Sequence, residues 1–290
     1  MKHFLFVLII STFFSCKQSE VSKQLPEVKT SQLIALFKAS QTNYPNISVH
    51  RGGKGILKYP ENCLETIKYI SDSISAIYEV DVAQTKDGQL VLLHDNSIDR
   101  TTNGSGKIDQ LTYNEIKDFK LVDDFGNVTA YKIPLFSDVL SWCVKHNVVL
   151  TIDIKKTVRQ ESVIREIKKQ SAEDISIIIT YTVDQAKTAY QLAPELLLSV
   201  SARNDEEFDR LLKTEIPTAN MLAFTGTRLS DATLFKRLHE NNIVCMLGTL
   251  GNLDKSAAAK GDAIYREWNK RGADILATDR PFNAFEALNN

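Results

Sequence analysis

The sequence has no surplus of charge: its 290 residues carry 35 Lys and Arg against 36 Asp and Glu, a formal net charge of −1. A chain without a basic excess has no means of displacing the counterions of a phosphate backbone, which excludes general nucleic-acid binding. Long apolar runs are almost absent. The long unbroken stretch that is both free of charge and dominated by apolar residues runs from Phe4 to Phe14, far short of the roughly 20 residues a helix needs to cross a bilayer. No Gly-x-Gly-x-x-Gly and no P-loop follows any strand candidate, so the usual marks of a dinucleotide or nucleotide site are missing. Cysteines are few, 4 in all, and too widely spaced for a metal knuckle. With 12 Gly, 7 Pro, 43% hydrophobic and 24% charged residues, the chain is neither fibrous nor disordered. Its length allows two small domains or one α/β barrel, and either buries a full core.

What is present begins with an export signal. Lys2, the apolar stretch to Phe14 and the small Ser15 have the layout of a bacterial secretion signal over residues 1–15. Cys16 directly after Ser15 resembles the lipobox of bacterial lipoproteins, in which the cysteine is lipidated and becomes the first mature residue. The expected location is the periplasm or cell envelope, anchored through Cys16. A plain signal peptide cut elsewhere and an uncleaved anchor are the alternatives. Residues 17–45 are polar apart from Leu33-Ile-Ala-Leu-Phe37, and read as a tether followed by a short docking helix; the folded unit is expected over 46–290. Cys143 and Cys245 lie in apolar runs and read as buried free thiols that behave as small hydrophobes.

From Ile47 onward, short runs rich in β-branched residues alternate with stretches whose apolar residues recur at helical spacing. The strand candidates are Ile47–His50, Ile77–Val82, Val148–Ile154, Ile175–Thr180, Leu196–Ser201, Met221–Phe224, Ile243–Leu247 and Asp274–Thr278. Helix patterns fall over Leu64–Ile70, Leu135–His146, Val163–Lys169, Asp184–Leu192, Asp205–Leu212, Asp231–Glu240 and Ala263–Arg271. This alternation makes a parallel sheet, and the number of units favours a (β/α)8 TIM barrel over a doubly wound open sheet. One interval breaks the rhythm. Between Val82 and Leu135 the chain adds Leu90-Val-Leu-Leu93, a turn at Thr101–Gly106 and a small helix around Tyr113–Phe119. This insertion after the second strand lies at the barrel face whose loops build active sites.

Polar residues interrupt the strands in a pattern. Glu79 and Asp81 stand two apart on the second strand, which points both carboxylates to one side. Burying two like charges without a partner is costly, and a bound divalent cation resolves it; a solvated edge pair or a lysine salt bridge are the plainer readings. Asp153, on the third strand, is a candidate third oxygen ligand. Three carboxylates without His or Cys suit Mg²⁺ or Ca²⁺ rather than zinc. Lys155 follows on the same side, placed either to meet an anionic ligand or as a surface lysine. Of the 5 histidines, His146 and His239 sit near helix C-termini, where a cation favours the helix dipole. His50 and His94 each end an apolar strand, in Val49-His-Arg-Gly52 and Leu93-His-Asp95. Imidazoles placed there serve as general acid and base near neutral pH, or as satisfied hydrogen-bonding residues.

A set of motifs in fixed order gives these positions a context. They are His50-Arg51-Gly52; Pro60-Glu61-Asn62; Glu79-Val-Asp81; Leu93-His94-Asp95; Asp99-Arg-Thr-Thr-Asn-Gly104; Ile133-Pro134; Asp153-Ile-Lys155; and Gly272-Ala-Asp-Ile-Leu-Ala-Thr-Asp-Arg-Pro281. Together they resemble the glycerophosphodiester phosphodiesterases, within the wider group that includes phosphatidylinositol-type phospholipases. The resemblance implies a barrel in which Glu79, Asp81 and Asp153 hold Mg²⁺ or Ca²⁺, His50 and His94 act as acid and base, and Arg51 meets the phosphate with Lys155 nearby. By the same similarity Glu61 is assigned to the metal and Asn62 to the phosphate. Asp279 and Arg280 are read as a structural cap on the closing strand. Three departures stand out: Asp153 replaces the family's usual glutamate, Gly53–Tyr59 is longer than expected, and Met246–Leu250 lies where a tryptophan-containing strand end is common.

The implied reaction is hydrolysis of a glycerophosphodiester to glycerol phosphate and an alcohol. A phospholipase-type enzyme acting on intact lipids, a non-catalytic barrel binding phosphodiester head groups, and a sugar-phosphate isomerase or aldolase are the competing readings. The last lacks its Gly-rich phosphate loop near the final strands. The partner is expected to be this small molecule alone, with no nucleic acid and no membrane contact beyond the anchor.

Overall fold

The computed structural model describes Met1 and residues 30–289. The signal segment, Cys16 and the start of the tether lie outside the described residues. Eleven strands follow in chain order: β1 (Ile47–Val49), β2 (Ile77–Gln84), β3 (Leu90–Leu92), β4 (Lys120–Val122), β5 (Val128–Lys132), β6 (Leu150–Ile154), β7 (Ser176–Thr180), β8 (Leu197–Ser201), β9 (Met221–Phe224), β10 (Val244–Gly248) and β11 (Ile275–Thr278). The main sheet runs β1-β11-β10-β9-β8-β7-β6-β2-β3, and β1 also pairs with β2, which closes the ring. Apart from β3, which is antiparallel to β2, every pairing in it is parallel. The result is a closed eight-stranded parallel barrel wrapped by helices, the architecture expected from the alternation.

Each expected strand and helix is present, with ends shifted by one to three residues where caps decide the boundary. Thr182 and Asn204 accept hydrogen bonds from the backbone N–H groups of Gln185 and Glu207 and so start the helices Val183–Leu192 and Asp205–Leu212. Asn147, at φ 57°, ends Phe136–His146 in the left-handed region and turns the chain into β6. Helix Gln160–Lys169 buries Val163, Ile164 and Ile167 on the barrel and leaves its charges outside. Elements not expected from the pattern are the β4–β5 hairpin and the helices Asn252–Lys260 and Pro281–Asn289. Asn252–Lys260 has no apolar stripe and buries only Asp254 and Ala257, so hydrophobic periodicity does not reveal it. The insertion carries its own small core of Leu93, Ile98, Ile116, Leu121 and Ile133. Cys63, Cys143 and Cys245 are all free and buried.

The lower end of the barrel is stoppered. Helix Leu33–Leu36 and Phe37 insert against Ile77, Ile177, Leu197, Leu222, Val244 and Ile275, the first inward-facing layer of the strands. Ser31 fixes the plug from outside, its N–H donating to the Glu195 carbonyl at 3.0 Å and its hydroxyl to the Glu173 carbonyl at 2.8 Å. The cavity within the barrel therefore opens at the carboxyl ends of the strands. Phe37 is 1% exposed, and truncating a buried phenylalanine typically costs about 3–5 kcal/mol. Phe37→Ala is expected to lower the urea-unfolding free energy by that order with little change in slope. A loss under about 1 kcal/mol would show that the segment lies on the barrel without sealing it.

Candidate active site

At the upper end, strand alternation brings Glu79, Asp81 and Asp153 together. Register pairs Asp81 with Asp153 across β2 and β6, and oxygens of all three carboxylates lie within 4.8 Å of one another. Lys155 sits over them, its Nζ at 2.5 Å from Asp81 and 2.9 Å from Asp153. One ammonium does not balance three carboxylates. Burial, and next the charge of Asp81, push the Glu79 carboxyl well above its ordinary range. Burial acts the same way on Asp81, but Lys155 and the Asn62 amide outweigh it and hold that carboxyl low. An all-oxygen cluster that a single lysine leaves under-neutralised fits a hard divalent cation, which Glu79, Asp81 and Asp153 would hold.

Two imidazoles flank the cluster, each tethered through Nδ1. His50 donates to Asp279 Oδ1 at 2.6 Å, and His94 to Asp95 Oδ1 at 2.6 Å. The register Val49 with Thr278 makes the first pair inevitable, because it sets the residues one further on side by side. Arg51 Nη2 lies 2.8 Å from His94 Nε2. A guanidinium only donates, so Nε2 accepts and His94 is the neutral Nδ1–H tautomer. Arg51 itself stands in the left-handed region at φ 54°, in a turn whose next two residues are glycines at φ 64° and 127°. That turn aims the Arg51 N–H at Glu79 Oε2, 2.7 Å away.

Two expected site residues stand beside the cluster and not in it. Glu61 is not in the carboxylate cluster: its oxygens take Arg51 Nη1 at 2.9 Å and Arg100 Nη2 at 2.7 Å, so it orients two arginines and is not placed as a metal ligand. Asn62, expected at the phosphate, is turned to the strand. Its amide grips Asp81 at both ends, Nδ2 donating to Oδ2 at 2.7 Å and Oδ1 accepting from the Asp81 N–H at 2.9 Å. Both amide ends are thereby used on the strand. The cavity between these groups measures about 260 Å³, and its far wall is Ile179, Tyr181, Phe224, Met246 and Leu250.

Over residues 50–282 the sequence matches the glycerophosphoryl diester phosphodiesterase family. The chain belongs to that family. A crystal structure of a glycerophosphoryl diester phosphodiesterase from Parabacteroides distasonis superposes with a TM-score of 0.83 at 31% identity, covering 90% of this chain and 93% of that one. YqiK, an uncharacterized protein of Bacillus subtilis, is 33% identical over 158 residues, 52% of this chain and 63% of its own length. A glycerophosphodiester phosphodiesterase of Caldanaerobacter subterraneus is 30% identical over 160 residues, 53% of this chain and 65% of its own length. These two alignments thus span less than two thirds of the relatives.

Within this glycerophosphodiester phosphodiesterase barrel, several site residues escaped the reading of the sequence. Asp279, a cap by its sequence position, instead holds His50; its place just past a strand's carboxyl end is the available signal. Arg100 bridges Asp95 and Glu61, at 2.6 Å and 2.7 Å. Behind Asp279 lies Asp254, 4% exposed, which accepts from the Asp279 N–H at 2.8 Å, the Thr278 hydroxyl at 2.9 Å and the Tyr265 hydroxyl at 2.8 Å. No periodic pattern pointed to it.

Two outcomes follow from this geometry. Asp254→Asn replaces one acceptor oxygen by a donor, leaving buried donors unmet at about 1–3 kcal/mol. It should lower unfolding stability by that order and release Asp279, shifting the pH profile of turnover; an unchanged profile would detach Asp254 from the His50 pair. Glu79 is the opposite case. Its folded pKa is raised, so its stabilising contribution is present below the unfolded value of about 4.3 and lost as pH rises. In chelator, Glu79→Gln should therefore melt higher than wild type at pH 7 and alike near pH 4. Added Mg²⁺ or Ca²⁺ should raise the wild-type melting temperature and leave the variant's unmoved.

Proposed function

We propose that the protein hydrolyses glycerophosphodiesters to glycerol phosphate and an alcohol, with His50 and His94 as the acid–base pair. The observation that carries this reading is the placement of two imidazoles, each anchored at Nδ1 by a carboxylate, on either side of the Glu79, Asp81 and Asp153 cluster. When bound there, Mg²⁺ or Ca²⁺ supplies charge neutralisation to the phosphodiester. Arg51 and Lys155 add fixed positive charge at the same mouth. Arg51 Nε is buried without a partner among the described residues and is left to donate to a phosphate oxygen.

The Arg51 guanidinium also gates His94. While it donates to Nε2, that nitrogen cannot take a proton; a phosphate that draws Arg51 across frees the lone pair. Asp95, held by Arg100 far below the usual carboxylate range and also hydrogen-bonded to His94, then stabilises the imidazolium that forms. Asp279 does the same for His50, against the opposing effect of its burial. A neighbouring hydroxyl of the glycerol, already positioned within the substrate, attacks phosphorus as one histidine accepts its proton and the other protonates the leaving alcohol. Water then opens the cyclic phosphate. The apolar far wall receives the uncharged part of the substrate.

The same reading makes the chain an exported envelope lipoprotein held through Cys16. In support, the described chain starts beside the plug, at the barrel end opposite the site. A tether from that end leaves the mouth free for soluble diesters.

His50→Ala and His94→Ala are each expected to lower kcat at least 10²-fold, the usual range for losing an acid–base group being about 10²–10⁴. The assay is release of glycerol phosphate from glycerophosphocholine and glycerophosphoethanolamine by protein lacking residues 1–16. Wild-type turnover in both variants would refute the acid–base assignment. Chelator should abolish release and Mg²⁺ or Ca²⁺ restore it; release that survives chelation would remove the cation from the reaction. Faster hydrolysis of phospholipid vesicles than of soluble diesters would favour the phospholipase reading.

A further inference from the structure

The end of the barrel away from the catalytic mouth carries a second cluster of metal-type donors, of different chemistry. His239 closes helix Ala232–Glu240, Cys245 is the second residue of β10, and Asp274 immediately precedes β11. His239 Nε2 stands 2.9 Å from Asp274 Oδ2, and one ligand atom from each of the three residues lies within 4.8 Å of the others. The carboxylate is fixed before any ligand arrives, because Asp274 Oδ2 also accepts the Cys245 N–H at 2.7 Å. The Cys245 side chain is fully buried, its nearest acceptor the Ile243 carbonyl at a long 3.8 Å. His239 and Asp274, by contrast, are 32% and 20% exposed, and both line a surface groove with Asn269 and Gly272. The groove brings solvent to His239 and Asp274, and Cys245 lies beneath them.

We infer that His239, Cys245 and Asp274 form a zinc-binding site distinct from the catalytic cluster. A thiolate, an imidazole and a carboxylate from three separate elements are the donor mixture of a borderline-soft ion, whereas the catalytic cluster offers oxygen alone. The fourth position is open to water from the groove. Binding makes the N–Zn, S–Zn and O–Zn bonds and breaks two bonds to hydrogen, the S–H of Cys245 and the Nε2–H that His239 donates to Asp274; the thiol proton goes to solvent, and the Nε2 proton goes to solvent with Nδ1 carrying the one proton of the neutral ring. Affinity consequently falls as pH falls. Helix, β10 and β11 are then tied together at the base of the barrel, so the ion stabilises without taking part in turnover.

The test uses the chain from residue 17 onward, stripped with chelator and titrated with Co²⁺ as the spectroscopic stand-in. The expected result is one equivalent that produces a near-ultraviolet thiolate-to-metal charge-transfer band, bleached by one equivalent of Zn²⁺. Co²⁺ in the all-oxygen cluster gives no such band, so the two sites are read separately. Cys245→Ala and His239→Ala should each abolish the band while leaving hydrolysis of glycerophosphodiesters unchanged. His239 is partly exposed, so its variant keeps the test decisive if Cys245→Ala fails to fold. Absence of the band in wild type at saturating Co²⁺, or its persistence in folded His239→Ala, would overturn the site. The readout does not depend on the proposed reaction, so loss of either leaves the other standing.

Discussion

Three carboxylates at one end of a narrow barrel repel one another, and much of the surrounding structure is an answer to that repulsion. Lys155 supplies one positive charge, the Asn62 amide clamps Asp81, and the Arg51 N–H caps Glu79. Each answer comes from a different part of the chain, so the site cannot assemble until β1, β2, β6 and the loop before helix Leu64–Ser71 are together. The residual negative charge is what would suit the mouth to a hard cation. Glutamate in place of Asp153 would extend the acid by a methylene; the shorter side chain meets the Lys155 ammonium at 2.9 Å.

Outward from the cluster, the histidines are held by two hydrogen-bonded chains of unlike design. On one side a buried aspartate fixes a second aspartate, which fixes His50; the chain runs through backbone and hydroxyl groups at the end of β11. On the other, Arg100 and Arg51 interleave with Glu61 and Asp95 around His94, mostly through charged side chains in the insertion and the first loop. The first chain is rooted in a buried carboxylate, Asp254. The second is partly solvated, with Arg100 44% exposed, and is the side able to rearrange when an anion enters.

Much of this was legible in the sequence. Strand–helix alternation pointed to the barrel because each barrel strand is a short, mostly apolar run and most helices have a clean apolar face. Glu79, Asp81, Asp153, His50 and His94 were visible as polar interruptions at strand ends, and they do converge. Asp279, by contrast, looked like a cap, since its partner lies 229 positions away and only the closing register brings them together. Glu61 and Asn62 are assigned by the family resemblance alone; in the structure they hydrogen-bond Arg51 and Asp81, contacts that no local pattern announces. Asp254 lies in an alanine-rich helix with no apolar stripe, and a buried carboxylate satisfied by hydroxyls leaves no periodic trace.

The plug at the base constrains assembly. Leu33 and Phe37 leave the ribosome before any strand, yet their binding surface includes Ile275 from the last one. The floor of the barrel therefore draws on both ends of the described chain, and it is complete only when the closing strand and the plug are both in place.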